Sequence, residues 1–424
     1  MPVRYAPAIL LGRALRTVAR WRKPGGGSAV PGLVVNKIAP GFLPSTLNSF
    51  PDGLVIVTGS AGKSTTTKML VAALRAHGVT VFTNPSTANI SQGLTSALLE
   101  QSTLRGRISG DIAVLEMDEG HGALISGSLT PRVVVLTNVM VDQIDRFHDS
   151  DMVAAMIAKI AARATGTVVV NADDLYLARL GEGVRPPAAV ARYGVTTEVL
   201  ADNPRGLGYT LTNPARMDAA DGMLLSAVDG RDATVLIDGT HVPVRLPARG
   251  THYAVDAVTA LAATRAALAD RFDARVAANA ISAIPPVFGR GEVVTVRGKT
   301  VEFVLVQNPA SFQLNVDSLA PATDQILVAV GSDVRDPSYL WPADTGSLVR
   351  VLIASGSKAH DIALQLAYDG VTVDRIEPDL GRALDDFLAL PDPASGVKTI
   401  IFSADSMRRT RAHLGLATND SDPT

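Results

Sequence analysis

The hydrophobic positions change period several times along the chain. Residues 1–23 read as one helix, with Ile9, Leu10, Leu11, Leu15, Val18 and Trp21 on a broad apolar face. Arg13, Arg16, Arg20, Arg22 and Lys23 surround that face, and Pro24 with Gly25-Gly26-Gly27 ends the helix. Two readings stand for it: docking on the body of the protein, or lying on an anionic membrane surface. From Leu54 short β-branched runs alternate with helical periods. Leu54–Val57, Val79–Thr83, Asp111–Glu116, Arg132–Leu136 and Thr167–Val170 predict strands, with helices to about His77 and over about Met152–Ala164. Such alternation predicts a parallel α/β sheet.

Residues 185–247 are rich in proline, glycine and short alternating segments. Ala233–Ile237 and His241–Leu246 predict β-hairpins packed against the sheet, and a helix resumes over Ala254–Arg271. Pro285-Pro286 and Gly289-Arg290-Gly291 mark a boundary. A second α/β pattern follows, with strands at Val301–Val306, Gln325–Val330, Val349–Ser355, Val371–Ile376 and Thr399–Phe402. The division expected is 1–50 for an N-terminal helix and linker, 51–290 for a central domain and 291–424 for a C-terminal domain. The tail from Thr418 is expected to fray.

Composition narrows the chemistry. A chain of 424 residues with 47% hydrophobic and 19% charged positions has enough apolar content for two or three folded domains. A net charge of −2 argues against a protein that coats nucleic acid. The absence of cysteine excludes disulfides, Cys–zinc sites, iron–sulfur clusters and a thiol nucleophile, and suits a cytoplasmic setting. No apolar run approaches the 18 residues needed to span a bilayer. Few aromatics and much alanine predict helices with close, small-residue contacts.

Three strand ends carry polar residues suited to phosphate and metal. Thr58-Gly59-Ser60-Ala61-Gly62-Lys63-Ser64 follows the first strand and opens a helix. A glycine turn leading into a helix points N–H groups at an anion, and the helix dipole adds to the attraction. Lys63 would neutralise phosphate oxygens and Ser64 would offer a hydroxyl to Mg²⁺. Val57 stands where the strict pattern G-x-x-x-x-G-K-S/T has its first glycine. Glu116, followed by Asp118 and Glu119, ends another strand and is the candidate second Mg²⁺ ligand. Thr137-Asn138-Val139-Met140-Val141-Asp142-Gln143-Ile144-Asp145-Arg146-Phe147 follows a third. There, capping by Asn138 and Asp142 and a functional role stay equally open.

The order T-G-x-x-G-K-S/T, Glu116, T-N-x-x-x-D-Q-I/L-D-R and Gly289-Arg290 resembles the Mur ligases, ATP-dependent amide-forming enzymes of cell-wall synthesis. Within them it is similar to the MurT type, through Gln143, the opening Gly27-Ser28-Ala29-Val30-Pro31-Gly32 with Phe42-Leu43, Asn308-Pro309-Ala310-Ser311-Phe312 and Asp336-Pro337-Ser338-Tyr339-Leu340-Trp341. The resemblance spans about residues 25–410. It implies an α/β fold with a Mur-ligase-like central P-loop ATPase domain and a C-terminal Rossmann-like domain. It implies ATP and Mg²⁺ as cofactors and a GatD-like class I glutaminase as partner. The acceptor implied is lipid II at the inner membrane surface, amidated on its D-glutamate α-carboxylate through an acyl phosphate. The nucleotide-binding candidates become Gly59, Gly62, Lys63, Ser64, Thr65, Asn89, Asn138, Asp256, Arg290 and Asn308. Lys63, Glu116 and Asp336 are the catalytic candidates, and Ser64 and Glu116 the Mg²⁺ ligands. Asp336 is the candidate to orient a histidine of the partner; a helix cap is the competing role, and Asp344 the rival residue. The four cysteines of a zinc ribbon often present in the MurT type are missing, so no zinc is expected. Asp256 stands in His252-Tyr253-Ala254-Val255-Asp256 where the family carries an asparagine amide. Lys159 is expected to be a surface lysine and not the family's carbamylated one. Two other readings remain open: a stand-alone Mur- or folylpolyglutamate-synthase-like ligase, and a nucleotide-binding scaffold without activity.

Overall fold

The computed structural model describes residues 3–22, 30–84, 90–141, 149–215, 217–286, 289–319, 323–336, 340–394 and 396–416. The strands of the first sheet are β1 (Leu54–Thr58), β2 (Val81–Thr83), β3 (Ile112–Glu116), β4 (Val133–Leu136), β5 (Thr167–Asn171), β6 (Ala189–Val195), β7 (Gly222–Asp229), β8 (Asp232–Ile237) and β9 (Thr240–Arg245). Their order is β2-β3-β1-β4-β5-β6-β7-β8-β9. Pairing is parallel from β2 to β7 and antiparallel in the last two steps. The hairpin strands therefore lengthen the sheet; they do not pack against it as the sequence suggested. The physical reason is β7, whose free edge continues the ladder through Leu225↔Val235 while its other edge pairs β6.

Residues of β1 alternate between two cores. Val55 and Val57 pack with Leu70, Leu74, Val258 and Leu261, which come from helices Lys63–Ala76 and Thr251–Leu268. Leu54 and Ile56 face the opposite core, with Leu98, Val153, Ile157 and Leu177. Helix Thr251–Leu268 is buried continuously from Tyr253 to Thr264. Its alanines let neighbours approach closely, as expected of a helix that is apolar nearly all round. A carboxyl in that helix, Asp256, is consequently a conspicuous polar intrusion.

The N-terminal helix covers Ala6–Arg22. Its apolar positions do not act as one face. Tyr5, Ala8 and Ile9 are buried, whereas Leu10, Leu11 and Val18 are exposed. The stretch expected to be linker contains helices Val30–Ile38 and Phe42–Leu47. Pro31 and Pro44 both sit in a first turn, where the missing N–H has no intrahelical partner to lose.

The second sheet has β10 (Arg290–Val296), β11 (Lys299–Leu305), β12 (Ile326–Ala329), β13 (Arg350–Ser355), β14 (Thr372–Glu377) and β15 (Lys398–Phe402), in the order β10-β11-β15-β12-β13-β14. Only β10 is antiparallel to its neighbour. Arg205 links the two domains through ion pairs with Asp317 and Asp344, each at 2.8 Å. The sheet edges are irregular. β2 has three residues. β9 contains Pro243, and its Arg245 N–H donates to Ser282 Oγ at 2.9 Å. β10 is bulged between Arg290 and Glu292. β14 carries Asp374 and Arg375, paired with Arg350 and Asp386. The tail from Thr418 lies outside the described residues.

Candidate nucleotide-binding site

β1 lies between β3 and β4, and the turn that follows it sits at the carboxyl ends of all three strands. In open α/β sheets this is where ligands bind. Gly59 and Gly62 have φ of +139° and +79°. A Cβ on Gly59 would lie 2.2 Å from Thr137 Oγ1, and one on Gly62 would lie 2.2 Å from Asp256 Oδ1. Steric space and backbone conformation thus both demand glycine. Helix Lys63–Ala76 starts at Gly62 with no side chain capping it. Ser64 and Thr65 are buried in its first turn. An uncapped helix start of this kind offers N–H donors and a positive dipole end, which fit a phosphate.

Lys63 folds back over the turn. Its Nζ donates to Gly59 O and to Ser60 O (3.0 Å) and lies 3.4 Å from Glu119 Oε2. Glu119 is almost wholly buried. In the sequence Glu119 stands only as part of the acidic run after Glu116, and its pairing with Lys63 has no local signature. Asp118 N-caps helix Glu119–Ile125 by accepting from His121 N at 3.0 Å, and that start turns Glu119 inward.

Glu116 pairs with Val57 in the β1–β3 register, so its strand end adjoins the turn. It is buried, and its backbone is held in both directions by Asn84, at 3.0 and 3.1 Å. The Ser64 hydroxyl and the Glu116 carboxylate are hard oxygen donors at neighbouring strand ends, a donor set that fits Mg²⁺. Asn84 escaped the sequence reading, although a polar residue directly after β2 is the same signal that marked Glu116. Asn89 lies outside the described residues, as does 142–148 with Gln143.

Two predicted nucleotide contacts are committed elsewhere. Asn138 Oδ1 accepts from Ala61 N at 2.9 Å and its Nδ2 donates to Ala61 O at 3.3 Å. Both ends of the amide brace the turn, aided by Thr137 Oγ1 donating to Ala61 O at 2.7 Å. Asn308 caps helix Pro309–Ser318, accepting from Ser311 N at 2.7 Å in a reciprocal capping box. The Asn-Pro-x-Ser order is a helix-start signature and accounts for that role.

Asp256 brings a carboxyl to the same turn. Its Oδ1 accepts from Thr66 Oγ1 at 3.3 Å. Burial pushes its pKa up to about 8, against the opposing pull of the Arg290 charge and of hydrogen bonds from Thr66 and Thr65. At neutral pH the group keeps its proton and so has an O–H donor, as an amide has its N–H. Next to it, His252 packs at a tilt on Tyr253 with ring centroids 4.1 Å apart, and neither ring nitrogen has a hydrogen-bond partner among the described residues. Burial, then the Arg290 charge, lowers its pKa to about 4. Arg290 opens β10 and donates to Gln307 Oε1 at 3.2 Å.

The remaining candidates lie elsewhere. Asp336 is exposed in the segment after β12, and residues 337–339 lie outside the described residues. Asp344 accepts from Gly346 N at 3.0 Å and pairs with Arg205, contacts that hold its carboxyl below the usual range. Lys159 is exposed on helix Ser150–Ala161.

The description Mur ligase middle domain matches residues 57–264, and MurT ligase C-terminal matches residues 305–401. The chain belongs to the Mur ligase family. It is an ATP-dependent ligase. A relative from Streptococcus pneumoniae, the lipid II isoglutaminyl synthase (glutamine-hydrolyzing) subunit MurT, is 28% identical over 89% of each chain. The Staphylococcus aureus (strain COL) protein of the same name is 33% identical over 36% of this chain and 34% of its own. Among solved structures, Mycobacterium tuberculosis folylpolyglutamate synthase, complexed with ADP and AMPPCP, superposes with a TM-score of 0.64 at 18% identity, covering 98% of this chain and 100% of that one. Thermotoga maritima MurF ligase in complex with ADP has a TM-score of 0.61 at 17% identity, covering 88% and 81%. These two establish the shared fold of the Mur ligase and its neighbours. Among the described residues no helix is long and apolar enough to cross a membrane.

Proposed function

We propose that this ligase amidates the α-carboxylate of the D-glutamate in lipid II, at the inner membrane surface. The observation that carries the reading is the likeness, over 89% of each chain, to a glutamine-hydrolysing lipid II isoglutaminyl synthase subunit, together with a glycine turn at Gly59, Gly62 and Lys63 suited to phosphate. A carboxylate does not condense with an amine at neutral pH. Attack of its oxygen on the γ-phosphorus of ATP releases ADP and leaves an acyl phosphate. Ammonia then adds to the carbonyl carbon, and phosphate departs with the C–O bond. The turn and the helix start of Lys63–Ala76 hold the phosphates, and Lys63 swings from Ser60 O toward the γ-phosphate oxygens. Ser64 and Glu116 would hold Mg²⁺, which neutralises charge developing on the transferred phosphoryl group. Asp256, which abuts Gly62, and Arg290, whose charge acts on both Asp256 and His252, position the rest of the nucleotide.

The nitrogen comes from elsewhere, because a chain without cysteine has no thiol to open glutamine. A GatD-like class I glutaminase supplies it as ammonia, and Asp336 orients that partner's catalytic histidine. The exposed Trp341–Tyr368 pair, with rings 5.4 Å apart and Trp341 five positions after Asp336 in the chain, is an aromatic anchor of the kind protein partners use. The test is a comparison of two nitrogen sources in the two-subunit enzyme. Asp336→Asn should lower glutamine-dependent amidation by about 10²-fold or more and leave ammonia-dependent amidation intact. Equal loss with both donors would refute the orienting role. Transfer of an amino acid in place of ammonia would instead identify a stand-alone ligase.

A further inference from the structure

Helix Ala6–Arg22 spends only part of its surface on the protein. Ala8 and Ile9 are buried, Arg13 Nε donates to Leu99 O at 2.8 Å, and Gly12 abuts Val35 and Leu99. The other side is open. Pro7, Leu10, Leu11, Ala14 and Val18 fall on one arc at 3.6 residues per turn, and all are exposed. Leu10, Leu11 and Val18 expose 55, 44 and 55% of their surface. Helix Val30–Ile38 packs against this helix and leaves Val30, Leu33 and Ile38 about equally open. Exposed apolar side chains gathered on one arc of a helix, with more on the helix packed beside it, mark an interaction site.

The charge pattern says what covers it. Of the 39 lysines and arginines, seven fall within residues 1–51, and all 41 aspartates and glutamates fall after them. A chain that is slightly acidic overall therefore begins with a segment that is purely basic. We propose that the Ala6–Arg22 and Val30–Ile38 helices dock this protein on an anionic phospholipid bilayer. Leu10, Leu11, Val18 and Leu33 enter the boundary between headgroups and acyl chains, and the basic residues of the segment other than Arg13 and Arg16, which bond Leu99 O and Glu100, meet lipid phosphates. A second copy fits the same face poorly, since pairing two such segments opposes their like charges, of which Glu100, 2.6 Å from Arg16, offsets one. The inference stands on the helix pair alone and does not depend on the reaction proposed above.

The experiment uses the full chain and vesicles free of lipid II, made of phosphatidylcholine alone or with about a third phosphatidylglycerol. Sedimentation should show binding to the anionic vesicles at least about tenfold stronger than to neutral ones, and weaker in high salt. The double variant Leu11→Glu/Val18→Glu should lose that binding about tenfold or more. Leu124→Glu, on an exposed leucine of another helix, should not. Circular dichroism and nucleotide binding of the double variant should match wild type, because both residues are exposed. Absence of anionic-vesicle binding, or equal binding by the double variant, overturns the proposal. So does wild-type self-association that the double variant abolishes without any vesicle binding, which would assign the face to a second copy.

Discussion

Asp256→Asn tests the most unusual electrostatic feature of the turn. The wild-type carboxyl is buried in helix Thr251–Leu268, and its pKa rises from 3.8 to about 8, mainly through desolvation. Between those values the folded protein holds a proton that the unfolded chain has released. Stability therefore falls as pH rises through the window, and is flat below about pH 4 and above about pH 8. Each pH unit inside it costs about 1.4 kcal/mol. From pH 5 to pH 8 wild type should lose up to about 4 kcal/mol through this group, a large share of a typical folding free energy. Asparagine keeps the shape and can still accept from Thr66, but has no proton to hold. The variant should be more stable than wild type at pH 8, and the gap should shrink toward pH 5. Urea unfolding followed by circular dichroism at several pH values reads the difference directly, because other titrating groups cancel between the two proteins. Parallel stability–pH curves would refute a buried neutral carboxyl.

Three further outcomes follow from contacts in the same region. Lys63→Ala should reduce turnover by about 10²–10³-fold, and should also lower stability by roughly 3 kcal/mol because it strands the buried Glu119 carboxylate. Adding Glu119→Gln should restore stability without restoring turnover, as denaturation and steady-state rates on the same samples will show. Glu116→Gln should lower activity and raise the Mg²⁺ concentration needed for half-maximal rate; an unchanged Mg²⁺ dependence would remove it from the metal site. Arg205→Ala breaks two partly exposed ion pairs between the domains, so its stability cost should stay at or below about 1 kcal/mol, measured by urea unfolding.

The central strands were legible because β1, β3 and β4 are buried on both faces and read as unbroken apolar runs. The N-terminal helices Val30–Ile38 and Phe42–Leu47 were not, since a proline in a first turn looks in sequence like a proline in a loop. At the site, Gly59, Gly62 and Lys63 could be found from local order, because turn and helix start are contiguous. The backbone contacts of Asn138 and Asn308 were not legible, because an amide after a strand looks the same in sequence whether it faces a ligand or its own backbone. Glu119, Asn84 and the proton on Asp256 depend on residues brought together from distant parts of the chain, which no local pattern records.

The irregular rims of the two sheets limit how this protein can assemble. A row of unpaired N–H and C=O groups is an invitation to strand addition and, beyond it, to fibrils. Here each rim declines it by its own means. β2 is too short to template a strand. Pro243 removes a donor from β9, and Ser282 occupies another. The bulge near Arg290 twists β10 out of register, and charged pairs screen β14. Complexes formed by this chain must therefore be knit from side chains, through patches such as Trp341–Tyr368 or the Leu10–Leu11 face, and can be dissolved by single substitutions there without touching either sheet.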